Sequence, residues 1–396
     1  MKIPKFLQIV SAMTLWLLLS ANGLCDATPS NPGNDLDNFG KPENFLFWTP
    51  EQQLAGYRNI NQIFPTRVIT DGEYTLELPQ RLTDLSATEI EHDGATLTVE
   101  DYFSQQKVAG LLVIKDGHIV YERYGLGNNE KSLWVSFSVA KSVTAMLIGA
   151  AVKDGYIRSV DDKVTDYLPL LKNSAYDQST IRNLMQMSSG VEWNEDYADP
   201  GSDVNSADWS TRGLYEYLRH KPRVATPGEV FNYNTAETNL AGTLLRSAIG
   251  NNLATYLSEK IWKPFGMQTE ANWMLSEPGG GETGGCCINA TLRDYGRLGL
   301  FAMAKGKLAD GTQVLPANWM ADSVEPSKGY PGYGYFWWLN ADKSFYAVGI
   351  FGQEIHINEE ENVVIALHSA RKDASIDSDW ALQSKLMSAL TAAVSD

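Results

Sequence analysis

The stretch Phe137-Ser138-Val139-Ala140-Lys141-Ser142-Val143-Thr144 decides how the chain is read. It opens an apolar, helix-prone run in which Val143, Met146, Leu147, Ala150 and Ala151 recur at helical spacing, and Lys153-Asp154-Gly155 ends it. Ser138 and Lys141 are three residues apart, so a helix brings them to one face about one turn from each other. A serine hydroxyl attacks poorly until a neighbour takes its proton. A buried lysine can do so, because burial depresses its pKa and leaves the amine neutral. A helix start also leaves free backbone N–H groups beside Ser138, where one can hold an oxyanion. The spacing recurs by chance as well, and a solvated lysine beside an N-terminal serine is the competing reading.

Outward from this helix, strands come early and late with helices between. Residues 110–124 read as a hairpin: an apolar strand at 111–114, the tight-turn pair Asp116-Gly117, and a return at 119–124. The unbroken apolar run predicts a strand covered on both faces. At the other end, residues 330–339 read as a strand entered by a turn, and 345–357 and 363–368 as two more strands. A closing amphipathic helix is predicted over 379–392. Helical patterns fall at 97–106, 164–171, 181–187, 213–218, 236–249, 253–262 and 291–304. The glycine-rich stretch 279–285 reads as a loop bringing backbone near a cleft. The fold class predicted is α+β: an α/β sandwich whose antiparallel sheet is assembled from both chain ends, plus a helical subdomain over about 160–325. The Ser138 helix then lies at their boundary, where clefts form.

The chain has 396 residues, 43% of them apolar and 20% charged, enough for a sizeable core. A net charge of −16 argues against nucleic-acid binding. Lys2 and Lys5, the apolar run 6–19, and the small residues Ser20, Ala21, Gly23 and Ala27 read as an export signal over 1–27. Cleavage after Gly23 or Ala27 predicts a periplasmic protein with no membrane span left. Cys25 admits a lipoprotein form, and an uncleaved N-terminal anchor is a third outcome. Residues 28–94 are expected to be a leader and lead-in, poorly ordered up to about 50, and 95–396 the main domain. Only Cys25, Cys286 and Cys287 occur, which is no disulfide framework; the adjacent pair reads as two reduced buried thiols, with a vicinal disulfide as the alternative. The five histidines form no metal-ligand cluster, and no phosphate-cradling loop or Gly-x-Ser-x-Gly elbow is present. Neither a cofactor nor a metal is expected.

Three elements in order carry a resemblance. They are Ser138-x-x-Lys141, Tyr233-Asn234-Thr235 after the Pro227-Gly228 turn, and Val348-Gly349-Ile350-Phe351-Gly352-Gln353 late in the chain. Over about residues 95–390 the sequence resembles the penicillin-recognising serine hydrolases, in the class C β-lactamase and esterase branch and most like the 6-aminohexanoate-dimer hydrolase group. The resemblance implies a β-lactamase/transpeptidase-like fold and an acyl-enzyme on Ser138. Lys141 and Tyr233 would move the protons, and the backbone N–H groups of Ser138 and Ile350 would form the oxyanion hole. Thr235 stands where the family has Asn or Ser and keeps a hydroxyl for Lys141 and substrate. Tyr197 and Asp208, eleven residues apart, match substrate-contacting positions of the dimer-hydrolase group; a loop with an N-cap aspartate is the plainer reading of Asp208. The Lys-Thr-Gly triplet of the lactamases is absent, which lowers the case for substrates held by a carboxylate. The implied function is hydrolysis of short esters or linear amides, small molecules in either case. A β-lactamase or D-Ala-D-Ala carboxypeptidase is the alternative. A noncatalytic binding or regulatory protein on the same scaffold is the alternative of another class. Oligomeric state is not legible in the sequence.

Overall fold

The computed structural model describes residues 32–374 and 376–395; the predicted export signal and Cys25 lie outside them. The predicted early hairpin and the late strands share one six-stranded antiparallel sheet. Its order is His118–Tyr124, Val108–Lys115, Val363–Ser369, Gln353–Asn358, Phe345–Gly349, Trp338–Leu339. The two chain ends join where Val113 pairs with Ile365 and Leu111 with Leu367. Both of these strands are buried on both faces, as their unbroken apolar runs require. Leu112, Ile114, Val364 and Ala366 face the main core with the Ser138 helix, while Leu111, Val113, Ile365 and Leu367 pack with Leu382, Leu386 and Leu390 of the C-terminal helix Asp377–Ser395.

Helix Leu292–Met303 lies close on the sheet because Gly296 and Gly299 face it. A Cβ on Gly296 would come 2.8 Å from Leu112, and one on Gly299 2.5 Å from Val364. The Ser138 helix runs Val139–Lys153 and buries residues 139–151. The middle of the chain supplies a helical layer that includes Ile181–Met185, Thr211–Arg219, Thr235–Ile249 and Leu253–Leu257.

Three segments differ from their sequence reading. Residues 345–357 are two strands rather than one, because Ile350, Phe351 and Gly352 form a three-residue loop, with Gly352 at φ +94° and its N–H bonded to Gly349 O. Of 330–339 only Trp338–Leu339 is strand; Tyr335 N–H is drawn instead to Ser323 O, and Phe336 adopts φ +57° with its N–H on Met185 O. Residues 42–50, expected to be poorly ordered, instead begin a packed strap that continues to 64. Thr49 and Gln52 cap the helix Pro50–Arg58 reciprocally, with Pro50 in its first turn. Trp48 fills the space over Gly40 and Gly56, and Phe45 stacks on Phe137 at 5.1 Å.

A second, four-stranded sheet went unread in the sequence: Thr66–Ile69, Ala271–Met274, Ile288–Ala290 and Trp134–Val135. Its last strand delivers the chain to Ser138. No helix among the described residues is long and apolar enough to cross a membrane.

Candidate active site

Ser138 occupies the N-terminal boundary of its helix, straight after a strained residue. Phe137 has φ +45°, costly for a bulky side chain. The surroundings hold it there. Ser136 N–H donates to Ile288 O, and Ile288 N–H to Ser136 Oγ. The Phe137 ring packs among Phe45, Tyr57 and Phe351, with centroids 5.1, 5.2 and 4.9 Å away. The strand-to-helix corner thus presents Ser138 at the floor of a cleft.

One helical turn on, the Lys141 Nζ lies 2.9 Å from Ser138 Oγ, 2.9 Å from Gly285 O and 3.1 Å from Thr235 Oγ1. Lys141 is 2% exposed. Burial brings its pKa down to about 7, partly opposed by the charge of Glu195. A neutral amine has two N–H groups and one lone pair. Gly285 O and Thr235 Oγ1 can take the two N–H groups, which leaves the lone pair for the Ser138 hydroxyl. The predicted glycine loop supplies that carbonyl. Gly284 and Gly285 press against helix Thr235–Ile249, where a Cβ on Gly284 would come 2.5 Å from Thr238 O. Thr144 Oγ1 donates to Gly284 O, and Gly285 N–H to Asn239 Oδ1.

Tyr233 precedes the same helix, whose N-cap Asn234 accepts from Glu237 N–H. Lys141 Nζ is 5.2 Å from the centre of the Tyr233 ring, which stacks on Trp338. A lysine ammonium alone would make a neighbouring tyrosine ionise more easily. Burial and the charge of Glu195 instead hold its pKa above the ordinary value, against a hydrogen bond to Ser138. It stays a phenol and therefore a proton donor.

The residue that the sequence reading missed is Glu195. Its carboxylate accepts from Thr235 N–H at 3.0 Å, Tyr197 OH at 2.6 Å, Thr235 Oγ1 and Trp193 Nε1. It fixes the hydroxyl that faces Lys141 and orients Tyr197. Trp193, Glu195 and Tyr197 alternate in sequence, and alternation in an extended segment puts side chains on one face.

Ile350 begins the loop after strand Phe345–Gly349. A Cβ on Gly349 would meet Ser136 O at 2.5 Å and the Phe137 Cβ at 3.0 Å, so glycine lets this strand end lie against the Ser138 corner. Tyr197 and Ile350 line both of two adjoining cavities. The smaller, about 320 Å³, also touches Ser138, Thr235 and Gly285. The larger, about 460 Å³, also touches Glu195, Tyr233, Trp338, Glu354 and His356. Asp208 lines neither. It is exposed in the loop, and its carboxylate accepts from Ser210 N–H; the N-cap of the helix that follows is Ser210, not Asp208. Cys286 and Cys287 are joined as a vicinal disulfide rather than left as two thiols. Among the described residues, no group of three or more His, Cys, Asp or Glu could hold a metal ion.

The family model described as Beta-lactamase matches residues 97–386. The 6-aminohexanoate-dimer hydrolase of Paenarthrobacter ureafaciens is 26% identical over 301 residues, 70% of this chain and 76% of that protein. Among solved structures, the "Putative 6-aminohexanoate-dimer hydrolase from Bacillus anthracis" superposes with a TM-score of 0.78 at 23% identity, covering 87% of this chain and 94% of that one. The octameric penicillin-binding protein homologue from Pyrococcus abyssi superposes with a TM-score of 0.59 at 19% identity, covering 74% and 76%. These likenesses agree in fold with the antiparallel sheet and its helices.

Proposed function

The chain belongs to the β-lactamase family of hydrolases, and on that premise we propose that it hydrolyses short esters and linear amides through an acyl-enzyme on Ser138. One observation carries the reading: a buried lysine with its pKa brought down to about 7 lies 2.9 Å from a serine hydroxyl in a cleft. In the first step Ser138 Oγ bonds to the carbonyl carbon and gives its proton to Lys141. The backbone N–H groups of Ser138 and Ile350 receive the oxyanion. The bond to the leaving group then breaks, Tyr233 supplies the proton that the departing oxygen or nitrogen needs, and the Lys141 ammonium restores it to the phenol. Water then attacks the acyl carbon: Tyr233 takes its proton while passing its own to neutral Lys141, and the Lys141 ammonium returns a proton to Ser138 Oγ as the acyl bond breaks.

The D-Ala-D-Ala carboxypeptidase and β-lactamase alternative is less well supported. Those substrates present a carboxylate, and neither lysine nor arginine lines either cavity. Purified protein assayed against a panel of esters, linear amides and β-lactams, with and without prior titration by an active-site phosphonate, tests the assignment. Phosphonate-sensitive turnover of esters and amides is expected. Turnover of β-lactams alone would replace the reading with the alternative.

A further inference from the structure

Ser138 lines the smaller of two adjoining lobes of the cleft, and the lobes differ in chemistry. We propose that the smaller lobe is the acyl pocket, that it takes an uncharged, apolar acyl chain, and that the strap of residues 42–64 sets this preference. The inference rests on the acyl-enzyme reading above.

Stereochemistry assigns the lobes. The tetrahedral carbon carries Ser138 Oγ, the oxyanion, the leaving group and the acyl chain. Tyr233 lines only the larger lobe, so a leaving group protonated by Tyr233 lies there. The acyl chain is left to the smaller lobe, which Ser138 itself lines.

The walls of that lobe define its occupant. Phe45, Leu46, Phe47 and Phe64 come from the strap and face Met274 and Leu275. Several polar atoms among them are already engaged. Asn205 Nδ2 donates to Asp196 O, Tyr197 O and Asp199 O. Asn239 Oδ1 accepts from Gly285 N–H, Thr283 Oγ1 donates to Cys286 O, and Ser276 Oγ bonds Thr211 Oγ1. The one carboxylate lining the lobe is Glu43, exposed at its edge, and Asp208 is outside. A charged group at the end of the acyl chain would lose its water and find no buried partner. An alkyl or aryl chain loses only unfavourable hydration.

Esters with one leaving group separate the possibilities: p-nitrophenyl acetate, hexanoate and 6-aminohexanoate. Wild-type protein should favour hexanoate over 6-aminohexanoate in kcat/KM by roughly tenfold or more, the scale of discrimination in an apolar pocket. Phe47 is 58% exposed, so Phe47→Ala should fold; it and Leu46→Ala should lower the hexanoate-to-acetate ratio by about tenfold. Equal or better use of 6-aminohexanoate, or an unchanged ratio in both variants, would overturn the acyl-pocket assignment while leaving the hydrolase reading standing. Absence of any turnover together with no phosphonate labelling of Ser138 would overturn both.

Discussion

At the residue scale the account turns on one amine. Lys141 must be unprotonated to take a proton from Ser138, and burial places its pKa at about 7. The kcat/KM for an ester should therefore rise as pH passes through about 7 and level off above it. A flat profile from about pH 5 to 9 would remove the base role. The same shift acts on stability. Between about 7 and the ordinary lysine value near 10, the unfolded chain holds a proton that the folded chain lacks, so this group makes stability rise with pH across that window. Lys141→Met removes the term, so its stability relative to wild type should fall between pH values of about 7 and 9 in urea titrations. Glu195→Gln takes away a negative charge that raises the Lys141 pKa. The acid limb of the pH profile should move to lower pH, with a lower kcat as Thr235 loses its anchor. A limb that stays in place would show that Glu195 does not act through Lys141. Tyr233→Phe keeps the ring that stacks on Trp338 and should slow amide turnover by roughly 10²–10⁴-fold, the range for a positioned acid.

At the element scale, what could be read from sequence was what is local. The Ser138 helix, the early hairpin and the helix after Tyr233 each carry their signal in consecutive residues. Ser138, Lys141 and Thr235 come together because two helix starts meet. The four-stranded sheet was illegible because its strands have two to four residues and are scattered from 66 to 290. Glu195 was missed because its partners Thr235 and Tyr233 are about forty residues away, though the Trp193-x-Glu195-x-Tyr197 alternation was visible. The strap was misread because prolines, asparagines and glycines before it dominate the composition, while Thr49-Pro50-Glu51-Gln52 holds a complete capping signature. The loop after strand Phe345–Gly349 offers a direct test. A Cβ at Gly349 would strike Ser136 O at 2.5 Å and displace Ile350 N–H from the Ser138 corner. Gly349→Ala should lower kcat by about 10²–10³-fold, the range for a lost oxyanion donor. Near-normal kcat in a folded variant would count against Ile350 N–H in that role.

At the scale of the whole molecule, the sheet closes the chain ends around a cleft bordered by the helical layer and the strap. The sandwich was legible because strands Val108–Lys115 and Val363–Ser369 are apolar on both faces. The cleft's two-lobed shape was not, since its walls come from residues 42 to 387. Export from the cytoplasm is a further proposal, carried by the basic and apolar start alone. Sequencing of the exported protein should find a new N-terminus near residues 24–28; a soluble protein retaining Met1 would reject the signal.

The central claim is a covalent bond from substrate to Ser138. Intact-mass spectrometry after brief exposure to a p-nitrophenyl ester, followed by peptide mapping, tests it most directly. The predicted result is an added acyl mass on the peptide containing Ser138, much slower to form in Lys141→Ala and missing from Ser138→Ala. An acyl group on another residue, or full turnover by Ser138→Ala free of contaminating esterase, would contradict it.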